Sequence, residues 1–170
     1  MSDAVDRIPP ADALGDFSSW VEPHLPALAR LAARLGPPGE AEDIVQDSLG
    51  RAWTKRRLFD PSRGTPAAWL LAITADQARK AWRRKRPLPL HFTSARIRSL
   101  DDELDLEFAV SRLPERQRLA VDCFYFVGLS VAETAAVLGC AEGTVKSTLS
   151  DARARLRSLL QVEDGRQRHR

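Results

Sequence analysis

Six basic side chains fall within eight residues: Arg79, Lys80, Arg83, Arg84, Lys85 and Arg86. Trp82 lies among them, and residues 79–98 contain no acid. Such a run can neutralise several phosphates, and an indole can pack on ribose or an unstacked base. The chemistry on offer is polyanion binding, with no bond made or broken. The bland alternative is a solvated helix end. A second set has the opposite sign. Glu42, Asp43, Gln46 and Asp47 recur at three- and four-residue spacing, which puts them on one side of a helix. They suit a positively charged protein surface. They equally suit the helix dipole, because acids open the segment while Arg51, Lys55, Arg56 and Arg57 close it. Asp43 and Asp47 alone lack the further ligands that a metal site requires.

The third set lies near the carboxyl end. Ser130-Val131-Ala132-Glu133 has the pattern of a capping box. A short helix over 131–138, a turn at Gly139-Cys140 and a longer helix from about Glu142 follow. That arrangement is a helix-turn-helix, whose second helix presents its amino-terminal half to the major groove. With Val145, Leu149 and Ala152 inside, the outward set is Thr144, Lys146, Ser147, Ser150 and Asp151. Lysine reaches a phosphate or a guanine edge, and the hydroxyls serve backbone or base. Asp151 repels phosphate but can accept from a cytosine amino group. Helical hairpins also occur in proteins that never meet DNA, so this pattern needs the basic run beside it.

Covalent catalysis finds no support. There is no phosphate-cradling glycine loop, HExxH pair or CxxC pair. His24, His91 and His169 are scattered, and Cys123 and Cys140 read as small apolar fillers. Neither an enzyme, a cofactor nor a metal is implied. Two thiols in 170 residues build no disulfide framework. With no secretory signal and no run of membrane-spanning length, the expectation is a reduced, cytoplasmic protein without membrane insertion.

The elements that must position these sets are helical. Alanine, leucine and arginine dominate, while valine and isoleucine rarely alternate with polar residues. The net charge of +3 conceals an uneven distribution. Residues 1–50 hold 3 basic and 9 acidic side chains, and residues 51–100 hold 13 basic and 2 acidic. The pattern predicts a first helix over 17–35 and a break at Gly36-Pro37-Pro38-Gly39. A second helix spans 40–58, and a third starts at Thr65-Pro66 and runs to Arg86. Prolines 87 and 89 stop the third. The expected fold is all-α: two small helical domains joined by a flexible linker, the second containing the helix-turn-helix. Their bounds are 14–86, 87–104 for the linker, and 105–162, with a polar tail fraying from Gln161.

The order of segments resembles the extracytoplasmic-function sigma factors of the sigma-70 family, over roughly Phe17 to Leu160. Ala41-Glu42-Asp43-Ile44-Val45-Gln46-Asp47 with Ala52-Trp53 carries the first match. Trp69-Leu70-Leu71-Ala72-Ile73 leading into Arg83-Arg84-Lys85-Arg86 carries the second, and Leu113-Pro114-Glu115-Arg116-Gln117-Arg118 the third. Gly128 to Ala135 and Leu138 to Ser147 complete the series. The resemblance implies a protein that binds core RNA polymerase through Glu42, Asp43, Gln46 and Asp47. It implies a −10 reader and strand-opening surface at Arg63, Trp69, Asp76, Arg79, Lys80, Arg83, Arg84, Lys85 and Arg86. It further implies a −35 reader at Thr144, Lys146, Ser147, Ser150 and Asp151. Its partners would be core polymerase, double-stranded and locally opened promoter DNA, and an anti-sigma factor. The place of action would be the polymerase or the nucleoid. The chain departs from the family at Asp76, Lys80, Ala141, Thr148 and Asp151, the last two standing where arginine is common. Two alternatives stand beside this reading: a helix-turn-helix regulator independent of polymerase, and a degenerate sigma-like chain acting through protein binding.

Overall fold

The structure, a computed structural model, describes residues 14–85 and 101–167. Eight α-helices carry the described chain: α1 (Leu14–Val21), α2 (Leu25–Leu35), α3 (Ala41–Lys55), α4 (Pro66–Arg84), α5 (Asp101–Ser111), α6 (Glu115–Val121), α7 (Val131–Leu138) and α8 (Glu142–Gln167). The all-α expectation therefore holds, as does the helix-turn-helix, formed by α7 and α8.

Several bounds differ from the sequence reading for local reasons. The single helix expected over 17–35 is two helices, parted by a 3-10 turn at Glu22–His24. Pro23 and Pro26 have no amide hydrogen to give to the preceding turn, so the α-helical ladder cannot run through. The expected second helix ends as α3 at Lys55 and tightens into a 3-10 turn at Arg56–Leu58. α5 begins at Asp101, so its first turn takes up the last four residues expected as linker. The rest of that linker, and Arg86, lie outside the described residues. α6 passes into a π-helical turn at Asp122–Val127, which ends at Gly128 with φ of 79°. That left-handed conformation is one glycine adopts without a Cβ penalty. α8 continues to Gln167, past the residue where fraying was expected.

The caps follow the sequence closely. Thr65 accepts from the Ala68 amide at 3.2 Å and starts α4, with Pro66 in its first turn. At α7 the full capping box forms: Ser130 Oγ accepts from the Glu133 amide, and Glu133 Oε2 accepts from the Ser130 amide at 2.8 Å. Gly36 has an ordinary extended backbone, yet a Cβ there would collide with Ile44 Cδ1 and the Ala32 carbonyl oxygen. Close approach, not φ, requires that glycine.

Packing ties the elements into cores. An aromatic group of Phe17, Trp20, Trp53, Phe59 and Trp69 closes one end of the first helical region, with ring centroids 5.2–6.1 Å apart. Alanines 32, 78 and 81 pack with Ile44 where α2, α3 and α4 meet. Small side chains let those helix axes come close. Trp82 Nε1 donates to the Leu35 carbonyl at 2.8 Å and fixes the end of α4 against α2. In the second region Val110, Leu113, Ala120, Val121, Ala135, Val145, Leu149 and Ala152 form a separate core. It anchors the inward face of α8.

The two regions also share a core. Cys123, Val127, Leu129 and Val137 of the second region cluster with Leu28, Leu31, Leu70, Leu71 and Ala75 of the first. Polar contacts border this seam. Arg34 Nε donates to Asp122 Oδ1 at 2.7 Å, and Arg34 Nη1 donates to Glu107 Oε1 at 3.0 Å. Arg30 Nε donates to the Val127 carbonyl at 3.2 Å. Burial pushes the Asp122 carboxyl above its usual pKa, against the pull of Arg34. Burial also works against the Arg34 charge, but its bonds to Glu107 and Asp122 outweigh that and raise its pKa. The opposite balances follow from exposure: the Asp122 side chain is 11% exposed and that of Arg34 is 23%.

Candidate nucleic-acid and protein-docking interface

The outward face of α8 is built by its inward one. Val145, Leu149 and Ala152 are buried, so Thr144, Lys146, Ser147, Ser150 and Asp151 are all left exposed. Thr148 sits at the edge, half-buried. Ser147 Oγ donates to the Thr144 carbonyl at 3.0 Å. Its hydrogen is thus engaged within the helix, and its oxygen remains free to accept. Ala141, which precedes the helix, has no side-chain acceptor for the first-turn amides. A phosphate oxygen is the group such amides suit.

The basic run occupies the carboxyl end of α4. Arg79, Arg83, Arg84 and Lys85 are exposed and Lys80 is half-buried. Their charges are not all unengaged. Arg79 pairs with Asp76 one turn back. Arg84 Nη1 lies 3.3 Å from Asp47 Oδ2, and Lys85 Nζ lies 2.7 Å from Glu40 Oε1. The acidic helix and the basic helix end are therefore neighbours. Trp69, expected among the DNA-facing residues, is half-buried in the aromatic group with Trp20 and Phe59. Most of its ring is spent on packing. Arg63 is exposed in a 3-10 turn at Pro61–Arg63. Asp60 caps that turn, accepting from the Ser62 amide at 2.9 Å and from its hydroxyl at 2.7 Å. Those bonds hold the Asp60 carboxyl below its usual pKa.

Glu42, Asp43, Gln46 and Asp47 are all exposed along α3, opposite buried Ile44, Ser48 and Ala52. The structure thus brings them together on one face. Arg56 stacks on the Trp53 ring, 3.8 Å from its centroid, beside the far end of the same helix. Sequence reasoning missed the Arg34, Glu107 and Asp122 cluster. Arg34 and Asp122 stand 88 residues apart, so no local spacing could have disclosed their meeting.

Among the described residues no group of His, Cys, Asp and Glu is arranged to hold a metal ion. No described helix is long and apolar enough to cross a membrane.

Known proteins match this chain in both sequence and shape. Residues 20–87 match the family Sigma-70 region 2, and residues 103–156 match Sigma-70, region 4. The chain is 32% identical to the ECF RNA polymerase sigma factor EcfG of Rhodopseudomonas palustris, over 92% of this chain and 90% of that one. It is 33% identical to the ECF RNA polymerase sigma factor SigF of Caulobacter vibrioides, over 89% of this chain and 90% of that one. Among solved structures, CnrH in complex with the cytosolic domain of CnrY superposes with a TM-score of 0.67 at 29% identity, covering 94% of this chain and 99% of CnrH. The sigma factor RpoE of Bartonella quintana, in complex with the anti-sigma factor NepR, gives 0.61 at 33% identity, covering 88% and 99%. With two successive sigma-70 regions, and relatives aligned over nine-tenths of its length, the chain belongs to the extracytoplasmic-function sigma factors of the sigma-70 family.

Proposed function

We propose that this sigma factor docks on core RNA polymerase through the exposed face of α3, with Glu42, Asp43, Gln46 and Asp47 meeting a basic partner surface. Sigma factors are not enzymes, and the work here is positioning: the polymerase makes the RNA bonds. The carboxyl half of α4, with Arg79, Lys80, Arg83, Arg84 and Lys85, would engage the −10 element and the strands opened there. The outward face of α8 would read the −35 element from the major groove. The observation that carries the reading is the order of the two sigma-70 regions, each with a charged or polar face left exposed by its own core.

Phosphate contacts supply register and most of the affinity, while base-edge contacts supply selection. Lys146 is the cation of the α8 set, and Asp151 opposes it. We therefore assign −35 binding a weak electrostatic part, with polymerase docking holding the chain over its site. An anti-sigma partner is part of the same proposal, because RpoE of Bartonella quintana is bound to one. A cytoplasmic place of action, at the polymerase on the nucleoid, follows from such partners.

A gel shift with and without core polymerase, on promoter and scrambled duplexes, tests the reading. The expected result is a specific shift that requires core and weakens when Asp43 and Gln46 are replaced by alanine. A specific shift of equal strength without core would favour the polymerase-independent regulator. Core binding with no promoter preference would favour a chain acting through protein contacts alone.

A further inference from the structure

We propose that Arg34 is an interdomain latch: held by Glu107 and Asp122, it keeps the chain in a closed form that must release before both promoter elements can be engaged together.

Arg34 stands on α2 in the first region, and both carboxylates stand in the second, on α5 and at the start of the π-helical turn. Its guanidinium is shared between them: Nε and Nη2 lie 2.7 and 2.6 Å from Asp122 Oδ1, and Nη1 and Nη2 lie 3.0 and 3.3 Å from Glu107 oxygens. It also lies over the Phe126 ring, 4.1 Å from the centroid. One cation thus satisfies two carboxylates and one aromatic face of the other region. Asp122 is only 7% exposed as a residue, so a closed form without Arg34 would bury a carboxylate stripped of its hydrogen-bonded cation, with only the more distant charge of Arg118 acting on it. Beside the latch, α7 lies on α4. Val137 packs with Leu70, Leu71 and Ala75. Arg30 adds a bond to the backbone at Val127, close to Gly128, where the π-helical turn ends.

The need for release is a matter of length. A compact chain of this size has a radius of gyration of about 15 Å, hence a diameter of about 40 Å. Elements named −10 and −35 lie about 25 base pairs apart, or about 85 Å at about 3.4 Å per step. The closed form cannot bridge that span. From the end of α4 at Arg84 to the start of α5 at Asp101 the chain can reach at most about 60 Å when extended, enough to make up the difference. This requirement rests on the promoter-reading function proposed above; the latch does not.

Small-angle X-ray scattering on the full chain, paired with a promoter-directed transcription titration against core polymerase, tests both parts. Arg34→Met should raise the radius of gyration by about a fifth or more with helix content unchanged, and Arg34→Lys should fall between it and the parent. Glu107→Gln combined with Asp122→Asn cuts the same bonds from the other side and should expand the chain too. This pair also decides the matter if Arg34→Met loses helix content. The concentration giving half-maximal transcript should drop about three- to tenfold in the released variants, because the binding-competent form is no longer a minor one. Unchanged scattering in the folded variants would overturn the latch. Expansion without any change in the transcription titration would overturn the requirement for release. If the parent chain directed no transcript at all, the proposed function would fall, and scattering would still judge the latch.

Discussion

Replacing Asp151 by arginine should convert the outward face of α8 into a stronger DNA surface, by an amount that salt dependence can measure. Asp151 is exposed, and its neighbours Val145, Leu149 and Ala152 supply the burial, so the change disturbs no core. Within the helix it exchanges an Asp151–Arg155 spacing of four residues for two like charges, which costs less than about 1 kcal/mol of stability. Ten residues from the start of α8, Asp151 is too far along for the helix dipole to matter. Toward DNA the arithmetic has two steps. An acid about 8 Å from a phosphate repels it by about 0.5 kcal/mol in water, a factor of about two in affinity. Asp151→Asn removes that much and leaves the salt slope unchanged. Asp151→Arg adds a phosphate contact, so the slope of log K against log salt should steepen by about 0.9. Between 50 and 200 mM salt, that is about 3.5-fold more affinity lost than by the parent chain. Fluorescence anisotropy on a short duplex of arbitrary sequence suffices, since phosphate contacts carry no sequence information. A folded Asp151→Arg chain with the parental slope would mean that this face does not lie along the duplex, and the assignment of α8 as the reader would be wrong.

Four further outcomes follow from particular contacts. Ser130→Ala removes the hydroxyl that caps α7 and should cost about 1 kcal/mol, with Ser130→Gly costing only a few tenths; for a chain of this length that is about 3 °C in Tm, readable by thermal melting. Cys123 is buried, and burial pushes its thiol up to about 12, so at pH 8 an alkylating reagent should modify Cys140 well ahead of Cys123, as peptide mass mapping would show. His24 is held below its usual 6.5 by burial, against the raising charge of Glu133, so the unfolded chain binds more protons as pH falls through 6.5. Stability should therefore be complete above that pH and decline below it, and His24→Gln should flatten that slope in urea titrations at stepped pH. Lys80→Gln with Arg83→Gln should slow promoter opening and make it less sensitive to salt, with permanganate footprinting as the readout; unchanged opening at moderate salt would remove these residues from the −10 assignment.

Much of this molecule was legible because its signals are local. Thr65-Pro66, the Ser130–Glu133 box and Gly139 each announce a helix end within four residues, and each end lies where expected. The inward set of α8 was readable from spacing alone, and with it the outward set. What escaped was long-range or depended on competing local energies. Pro23 and Pro26 were visible, but whether the chain would bridge them or break was settled by the 3-10 turn they impose. The resemblance set Trp69 among the DNA contacts, and its packing partners could not be read from spacing: Trp20 of α1 and Phe59 converge on its ring from elsewhere in the chain. The interregion seam left no mark at all. Cys123, Val127 and Val137 look like the inside of one small domain, and only the folded chain reveals that the same side chains also meet α2 and α4.

Two kinds of ion pair cross this molecule, and their exposures assign them different work. Arg84–Asp47 and Lys85–Glu40 join the basic end of α4 to the acidic helix, with side chains 23–57% exposed. Pairs so open to water are worth about 0–1 kcal/mol, and a phosphate or a basic partner surface can replace either member at little cost. Their adjacency therefore does not prevent α3 and α4 from serving different partners; each can surrender its intramolecular neighbour on docking. The Arg34 cluster cannot be exchanged so freely, because Asp122 has lost most of its water and Arg34 is the cation hydrogen-bonded to it. On the proposed docking faces and latch, surface pairs that yield to a ligand and a seam pair that resists opening would set an order of events: the outer charges meet their partners first, and the seam parts when the energy of those contacts is available.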